Sequence, residues 1–173
     1  LPSDQMHYLL HVLRLNLGAV IGVFNGVDGE FNASISAIAK KQCSITIGDQ
    51  RRQQIYCRDL WLLFAPVKKA RLDFIAQKAS ELGVRVIWPV KTDYCQISRV
   101  NDDRLAANAI EAAEQTERLD IAEIRSFDPL YDVLAACDGD RLLIWCDEVS
   151  AGHPVLNITA ALAAAPPHDK AAI

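Results

Sequence analysis

The sequence predicts an α/β chain in two parts: a small β-barrel or sheet first, then a mostly parallel sheet covered by helices. Three observations predict it. Residues 20–47 show period-two apolar alternation, with turn residues between the runs. From residue 60 onward, short apolar runs alternate with stretches of helical periodicity, the pattern of strands paired in parallel through crossover helices. Between them, residues 49–58 are polar and charged and read as a linker. The expected domains are residues 1–57 and 58–173.

In the first part, Ser3 to Leu15 reads as a helix with Met6, Leu9, Leu10 and Leu13 as its apolar stripe. His7, His11 and Arg14 recur on another face, which is either solvated or used for binding. Val20 to Phe24 is a strand, followed by a turn at Asn25-Gly26. Glu30 to Ile38 alternates with Phe31, Ala33, Ile35 and Ala37 in phase. Cys43 to Ile47 is the next strand, and Gly48-Asp49 is read as a turn.

In the second part, Leu60 to Phe64 is an apolar strand. Lys69 to Leu82 is a helix whose buried stripe is Leu72, Ile75, Ala76, Ala79 and Leu82. Arg71, Phe74, Lys78 and Glu81 line a neighbouring face, and Gly83 stops the helix. Val84 to Val90 is a buried strand with Pro89 near its end. Asn101 or Asp102 caps a helix to Thr116, packed through Leu105, Ala109, Ala112, Ala113 and Thr116. Its polar face carries Glu111, Glu114, Gln115 and Arg118. Asp128-Pro129 is read as the N-cap and first residue of a helix to Ala136. Arg141 to Cys146 is a strand, Ile158 to Ala165 a helix stopped by Pro166-Pro167, and Lys170 to Ile173 a final strand.

Composition narrows the function classes. An apolar content of 51% excludes a disordered chain. No apolar run reaches the length of a membrane span, and the start lacks the layout of a signal peptide. The five cysteines, Cys43, Cys57, Cys95, Cys137 and Cys146, form no Cys-x-x-Cys pair and, with four scattered histidines, no metal spacing. They are expected to be reduced thiols, with no metal bound. There is no Gly-x-Gly-x-x-Gly, P-loop or nucleophile elbow after any strand. The net charge of −4 is unevenly spread. Residues 1–71 hold nine basic and five acidic side chains, net +4, and residues 72–173 hold nine and seventeen, net −8. A basic first part joined to an acidic second part fits an RNA-gripping module on a catalytic body, and it also fits a chance asymmetry.

Two segments stand out: Gln77 to Val84 and Glu111 to Arg118. Each ends a helical stretch with charged and amide side chains on one face and small apolar ones on the other. With Lys68-Lys69-Ala70-Arg71-Leu72-Asp73, His7 to Leu15 and Phe24 to Phe31, they resemble the ribosomal RNA small subunit methyltransferase E family. That family methylates N3 of a uridine in small-subunit rRNA. The resemblance covers nearly the whole chain. It implies a PUA-like RNA-binding domain followed by a SPOUT-type domain, with S-adenosyl-L-methionine as methyl donor. It implies small-subunit rRNA or the assembled small subunit as partner, a homodimer, a cytoplasmic location and no membrane.

The resemblance also implies roles. Arg14, Lys68, Arg71 and Lys78 would grip RNA. Glu81, Glu114 and Gln115 would orient the base or support the donor loop, and Arg118 would anchor either RNA or the dimer partner. No general base is named. There is one departure from the family pattern. The family's Gly-Pro-Glu-Gly-Gly donor loop, due after a strand near Ala171, and the later Arg-Thr-Glu-Thr-Ala block are missing. The start at Leu1-Pro2 is no natural initiation. The chain is therefore expected to be clipped, to lack the C-terminal trefoil knot and to be inactive by itself. Each assignment has a plainer counterpart: Lys78 and Glu81 at i, i+3 also fit a surface ion pair. A non-catalytic RNA-binding or ribosome-assembly module of the same fold is the alternative function, and an unrelated α/β enzyme is a third.

Overall fold

Alternating apolar residues give the first part its strands: β1 (Val20–Phe24), β2 (Glu30–Ala39) and β3 (Gln42–Arg52), antiparallel in the order β1-β2-β3. The structure, a computed structural model, describes residues 1–67, 69–146 and 158–173. They divide into two compact units, Leu1–Tyr56 and Cys57–Ile173. In the first unit the three strands form a sheet whose edges are β1 and β3. Ala33, Ile35 and Cys43 are buried on one face of it.

Three expectations for this unit change. Gly48-Asp49 does not turn the chain, and the linker does not begin at residue 49, because β3 continues to Arg52. Phe31 faces Gln50 and Ala33 faces Ile47, so Asn32 alone lies opposite both Gly48 and Asp49. That is a β-bulge, which absorbs an extra residue without ending the ladder. Past the bulge, Glu30 holds the strand end through Arg51 Nη1 at 3.1 Å and through Arg52 Nε. The first helix is also shorter than expected. α1 (Ser3–His7) passes into a π-helical stretch, Tyr8–Val12, in which Leu13 N donates to the Tyr8 carbonyl at 2.9 Å. Arg14 follows in the left-handed region at φ 56°, where helices end.

The second unit follows the expected alternation closely. It runs β4 (Asp59–Phe64), α2 (Lys69–Glu81), β5 (Val86–Lys91), α3 (Asp102–Gln115), β6 (Glu123–Ile124), β7 (Asp128–Pro129), α4 (Leu130–Ala136), β8 (Leu142–Leu143), α5 (Ile158–Ala164) and β9 (Lys170–Ala172). Its strands pair in the order β6-β5-β4-β9-β8, with β7 beside β5, and each pairing is parallel. No helix among the described residues is long and apolar enough to cross a membrane.

Three local expectations are corrected. Leu82 is 83% exposed rather than part of the α2 stripe. Gly83, at φ 90°, donates to the Ser80 carbonyl at 3.1 Å, and Val84 N donates to the Ala79 carbonyl at 3.0 Å. This Schellman closure takes Leu82 off the buried stripe, and Ser80 is buried there instead. Asp128 is not a helix cap. It lies in β7 opposite Val90, and its carboxylate accepts from Trp88 Nε1 at 3.3 Å. The strand expected from Arg141 to Cys146 shrinks to Leu142–Leu143, the two residues that pair with Ala171 and Ala172 of the short β9, and the Arg141 side chain before it turns inward.

Pro89 sits inside β5, fully buried, without cost to the ladder. Ile87 O accepts from Arg125 N beyond the end of β6, and backbone direction alternates along a strand. The missing N–H of Pro89 therefore faces the gap between β6 and β7.

The sheet is covered on both faces, as parallel sheets require. On one face, Ile87, 0% exposed, packs with Ala79, Val84, Ala109 and Ala122, and with Leu60, Leu62 and Phe64. Alanines at the α2–α3 contact let the two helices approach closely; burying Ile87 contributes roughly 1.5–3 kcal/mol. On the other face, Val86, Trp88 and Val90 meet Val133 of α4 together with Trp61 and Leu63. Arg141 pins this side. Its guanidinium lies 3.7 Å from the Trp61 ring centroid, and its Nη2 donates to Asp59 Oδ2 at 2.8 Å.

Burial pushes the Asp59 carboxyl up, but hydrogen bonds from Arg141 and Trp61, with the charges of Arg141 and Arg85, outweigh it. Asp59 is held below the usual carboxylate range. A carboxylate depressed in the folded state stabilises the fold fully above its ordinary range and loses that contribution as pH falls through the folded value. Urea unfolding should therefore show a falling midpoint on the acid side in the native chain. Asp59→Asn should be less stable at neutral pH and have a flatter acid limb; parallel acid limbs would exclude Asp59 as a contributor.

Candidate functional site

Parallel pairing places the carboxyl ends of β4 and β5 side by side at one edge of the sheet, with the loops that follow them. Ligands of open α/β sheets bind outside this edge. After β4 come Ala65, Pro66 and Val67, and after β5 come residues 92–101. The second loop is held in place by its own bonds. Cys95 N donates to the Thr92 carbonyl at 3.1 Å, and Cys95 Sγ lies 3.9 Å from the Pro66 carbonyl and 3.6 Å from that of Ile97. Asn101 then caps α3, its Oδ1 accepting from Arg104 N at 3.0 Å.

A cleft of about 450 Å³ opens between the two loops, lined by Pro66, Arg71, Thr92, Tyr94, Cys95 and Gln96 among others. Gln96 and Ile97 also line a second cleft of about 720 Å³, which reaches Leu72, Asp73, Arg99 and Arg104. The clefts thus meet at loop 92–101. Asp73 secures the helix side. It accepts from Arg104 Nε at 2.8 Å, again from Arg104 Nη2, and from Asn108 Nδ2 at 3.0 Å. The hydrogen bonds from Arg104 outweigh partial burial and hold the Asp73 carboxyl below its ordinary range.

The residues singled out in the sequence fall in different places. Lys68 lies outside the described residues. Arg71 is exposed at the first cleft. Arg14 belongs to the other unit. Lys78 and Glu81 occupy the last turn of α2, about 10 and 15 Å along the helix from Arg71 at roughly 1.5 Å per residue. Glu114 and Gln115 are exposed on the last turn of α3. Since α2 and α3 each return the chain from the carboxyl edge, their last turns lie toward the amino edge. The structure does not bring Lys78, Glu81, Glu114 or Gln115 into the cleft beside Arg71.

Lys78 Nζ instead bonds Glu81 at 2.7 and 2.9 Å and stands 5.9 Å from the Phe74 ring centroid. Arg118 is not on the polar face of α3, which ends at Gln115. Its side chain turns inward, bonding the Ser80 carbonyl through Nη1 and reaching Asp120 Oδ1 with Nη2 at 3.1 Å. Asp120 in turn accepts from Cys57 N at 2.9 Å. A guanidinium committed in this way joins the two signature segments to each other and to the entry of the second unit. Burial, followed by the nearby Asp120 carboxylate, pushes the Cys57 thiol up despite the opposing charge of Arg118.

Sequence reasoning missed Asp73, Tyr94, Gln96, Arg99 and Arg104. All five border the clefts. For Tyr94, Gln96 and Arg99 the available signal was a long polar loop directly after a buried strand, where binding residues concentrate.

Residues 55–171 match the family model of the RNA methyltransferase domain, and residues 1–48 match that of the RNA methyltransferase PUA domain. The chain is 34% identical over 164 residues to ribosomal RNA small subunit methyltransferase E of Rickettsia conorii, covering 94% of this chain and 66% of the relative. It is 29% identical over 140 residues to the protein of the same name in Buchnera aphidicola, covering 72% and 52%. It therefore spans less than two thirds of the length of either relative. Among solved structures, a Legionella pneumophila protein in complex with bound SAM is 27% identical with a TM-score of 0.75, covering 100% of this chain and 72% of that one. Ribosomal RNA small subunit methyltransferase E from Neisseria gonorrhoeae, bound to S-adenosyl methionine, superposes with a TM-score of 0.76 over 99% of this chain and 71% of that one. Its 20% identity makes that a likeness of fold. A mixed fold with a parallel sheet and an antiparallel three-stranded sheet, carrying matches to both domain models along its length, places this chain in the ribosomal RNA small subunit methyltransferase E family.

Proposed function

We propose that this chain forms part of an enzyme that methylates N3 of a uridine in small-subunit rRNA, with S-adenosyl-L-methionine as donor. The observation that carries the reading is the pairing of two matches, a PUA domain on residues 1–48 and an RNA methyltransferase domain on residues 55–171. We take the domains as residues 1–57, which bind RNA, and 58–173, of SPOUT type. The proposed partner is small-subunit rRNA or the assembled subunit, and the proposed setting is a cytoplasmic homodimer.

N3 lies on the pairing edge of uracil, so the base must leave its helix before reaction. The carboxyl-edge cleft is where this chain would receive it. Arg71, exposed at the cleft mouth, would hold a neighbouring phosphate, and Lys68 would extend the same grip. Thr92 and Gln96 supply uncharged polar groups beside the place for the base. S-adenosyl-L-methionine would supply an electrophilic methyl group. The described residues do not fit it with a cradle. Close backbone approach to a ligand calls for glycine, and no glycine stands in the loops after β4 or β5. A second reading, a non-catalytic RNA-binding module, draws on the PUA match alone.

The native protein carrying this chain should convert a uridine of unmodified small-subunit rRNA to 3-methyluridine, read by nucleoside mass spectrometry. Methylation at another atom would reject N3, and no methylation under saturating donor would favour the second reading. In calorimetry, the 173 residues alone should bind no donor; saturable binding would place the donor site within them. Arg71→Glu should reduce the log–log salt slope of RNA binding by about one unit, as expected for one lost phosphate contact. An unchanged slope in the folded variant would remove Arg71 from the RNA surface.

A further inference from the structure

We infer that the cleft between the β4 and β5 loops is a pocket for one extruded pyrimidine, with Tyr94 as the platform on which the base stacks. The inference rests on the proposed reading of the chain as an rRNA methyltransferase and goes further by naming the residue that captures the base.

Tyr94 is 95% exposed. A tyrosine left that open gains nothing from the core, and its ring is a large, rigid surface that costs little entropy to use. It also lines the cleft of about 450 Å³ at the carboxyl edge, the edge where ligands of parallel sheets collect. Its backbone is fixed on both sides. The turn closed by Cys95 N on the Thr92 carbonyl at 3.1 Å brackets it, and Cys95 Sγ ties the loop toward Pro66 and Ile97. The ring is therefore presented by an anchored turn.

The remaining lining suits a pyrimidine. Pro66 and Ile97 give apolar walls, while the Thr92 hydroxyl and Gln96 amide can each donate to a ring carbonyl. Arg71 at the same mouth has no acidic partner among the described residues, which leaves its charge for the backbone of the extruded nucleotide. Base–aromatic stacking of this kind is sequence-tolerant and accounts for a large share of single-strand affinity.

The test compares two short single-stranded oligoribonucleotides, each with one pyrimidine, in one case uridine and in the other 5,6-dihydrouridine. The second keeps both carbonyls and N3–H but has a puckered ring that cannot stack. The intact 173-residue chain should bind the uridine strand about ten-fold more tightly, as one stacked base predicts. Tyr94→Ala should abolish the difference, and Tyr94→Phe should keep it. Since the side chain lies outside the core, both variants should unfold at the native midpoint. Equal binding of the two strands by the native chain, or a preference that survives Tyr94→Ala, would overturn the inference. Salt-dependent RNA binding that remains sensitive to Arg71→Glu would then leave the broader reading standing. Failure of the native chain to bind either strand would remove both. Concentration-dependent self-association in light scattering that is lost in Tyr94→Ala would assign the ring to a contact between copies, and this too would overturn the pocket.

Discussion

Parallel pairing of β4 with β5 and β9 is the constraint on which the second unit depends. Parallel neighbours cannot be joined by a tight turn, so each connection crosses over a face of the sheet. The crossovers through α2 and α3 bury Ile87, Val84 and the alanine seam on one face, while α4 meets Trp88 and Val90 on the other. They also send the loops after β4 and β5 to one edge. The clefts there are lined by these loops together with α2 and the start of α3. Arg141, packed on Trp61 and tied to Asp59, holds β4 against the segment between α4 and β8. Its charge is matched within the fold.

The two most distinctive segments of the sequence serve this framework. Gln77 to Val84 and Glu111 to Arg118 meet through Arg118, whose guanidinium reaches the Ser80 carbonyl and Asp120. Asp120 also takes the backbone N–H of Cys57, the first residue of the second unit. A helix end leaves carbonyls without partners. An arginine from the end of the next helix supplies one donor here, and the Schellman turn at Gly83 supplies others. Charged residues at two consecutive helix ends therefore describe a junction in the fold. Lys78 and Glu81 form the ion pair their spacing allows.

Much of the fold was legible because its signals are local. The i, i+3, i+4 stripe of α2 fixed Leu72, Ala76 and Ala79 as core, and the unbroken apolar run of β5 marked a central strand. The errors arose where partners distant in sequence decide. Gly48-Asp49 carries turn chemistry, yet pairing with Asn32 makes it a bulge. Asp128-Pro129 has the composition of a helix start, yet Val90 draws it into a strand. For the candidate site, Arg71 was legible from its motif. Tyr94 and Gln96 were not, since loop 92–101 has no periodicity and becomes a wall only when β5 places it beside the loop after β4.

We propose that the carboxyl edge of the parallel sheet, rather than the ends of α2 and α3, is the surface that meets RNA. The most direct test is a chemical-shift titration of the isotopically labelled chain with a short uridine-containing strand. The account predicts perturbations concentrated at residues 65–67, Arg71 and residues 92–97 of the second unit. Perturbations confined to residues 78–82 and 111–118 would contradict it and return the site to the two helix ends.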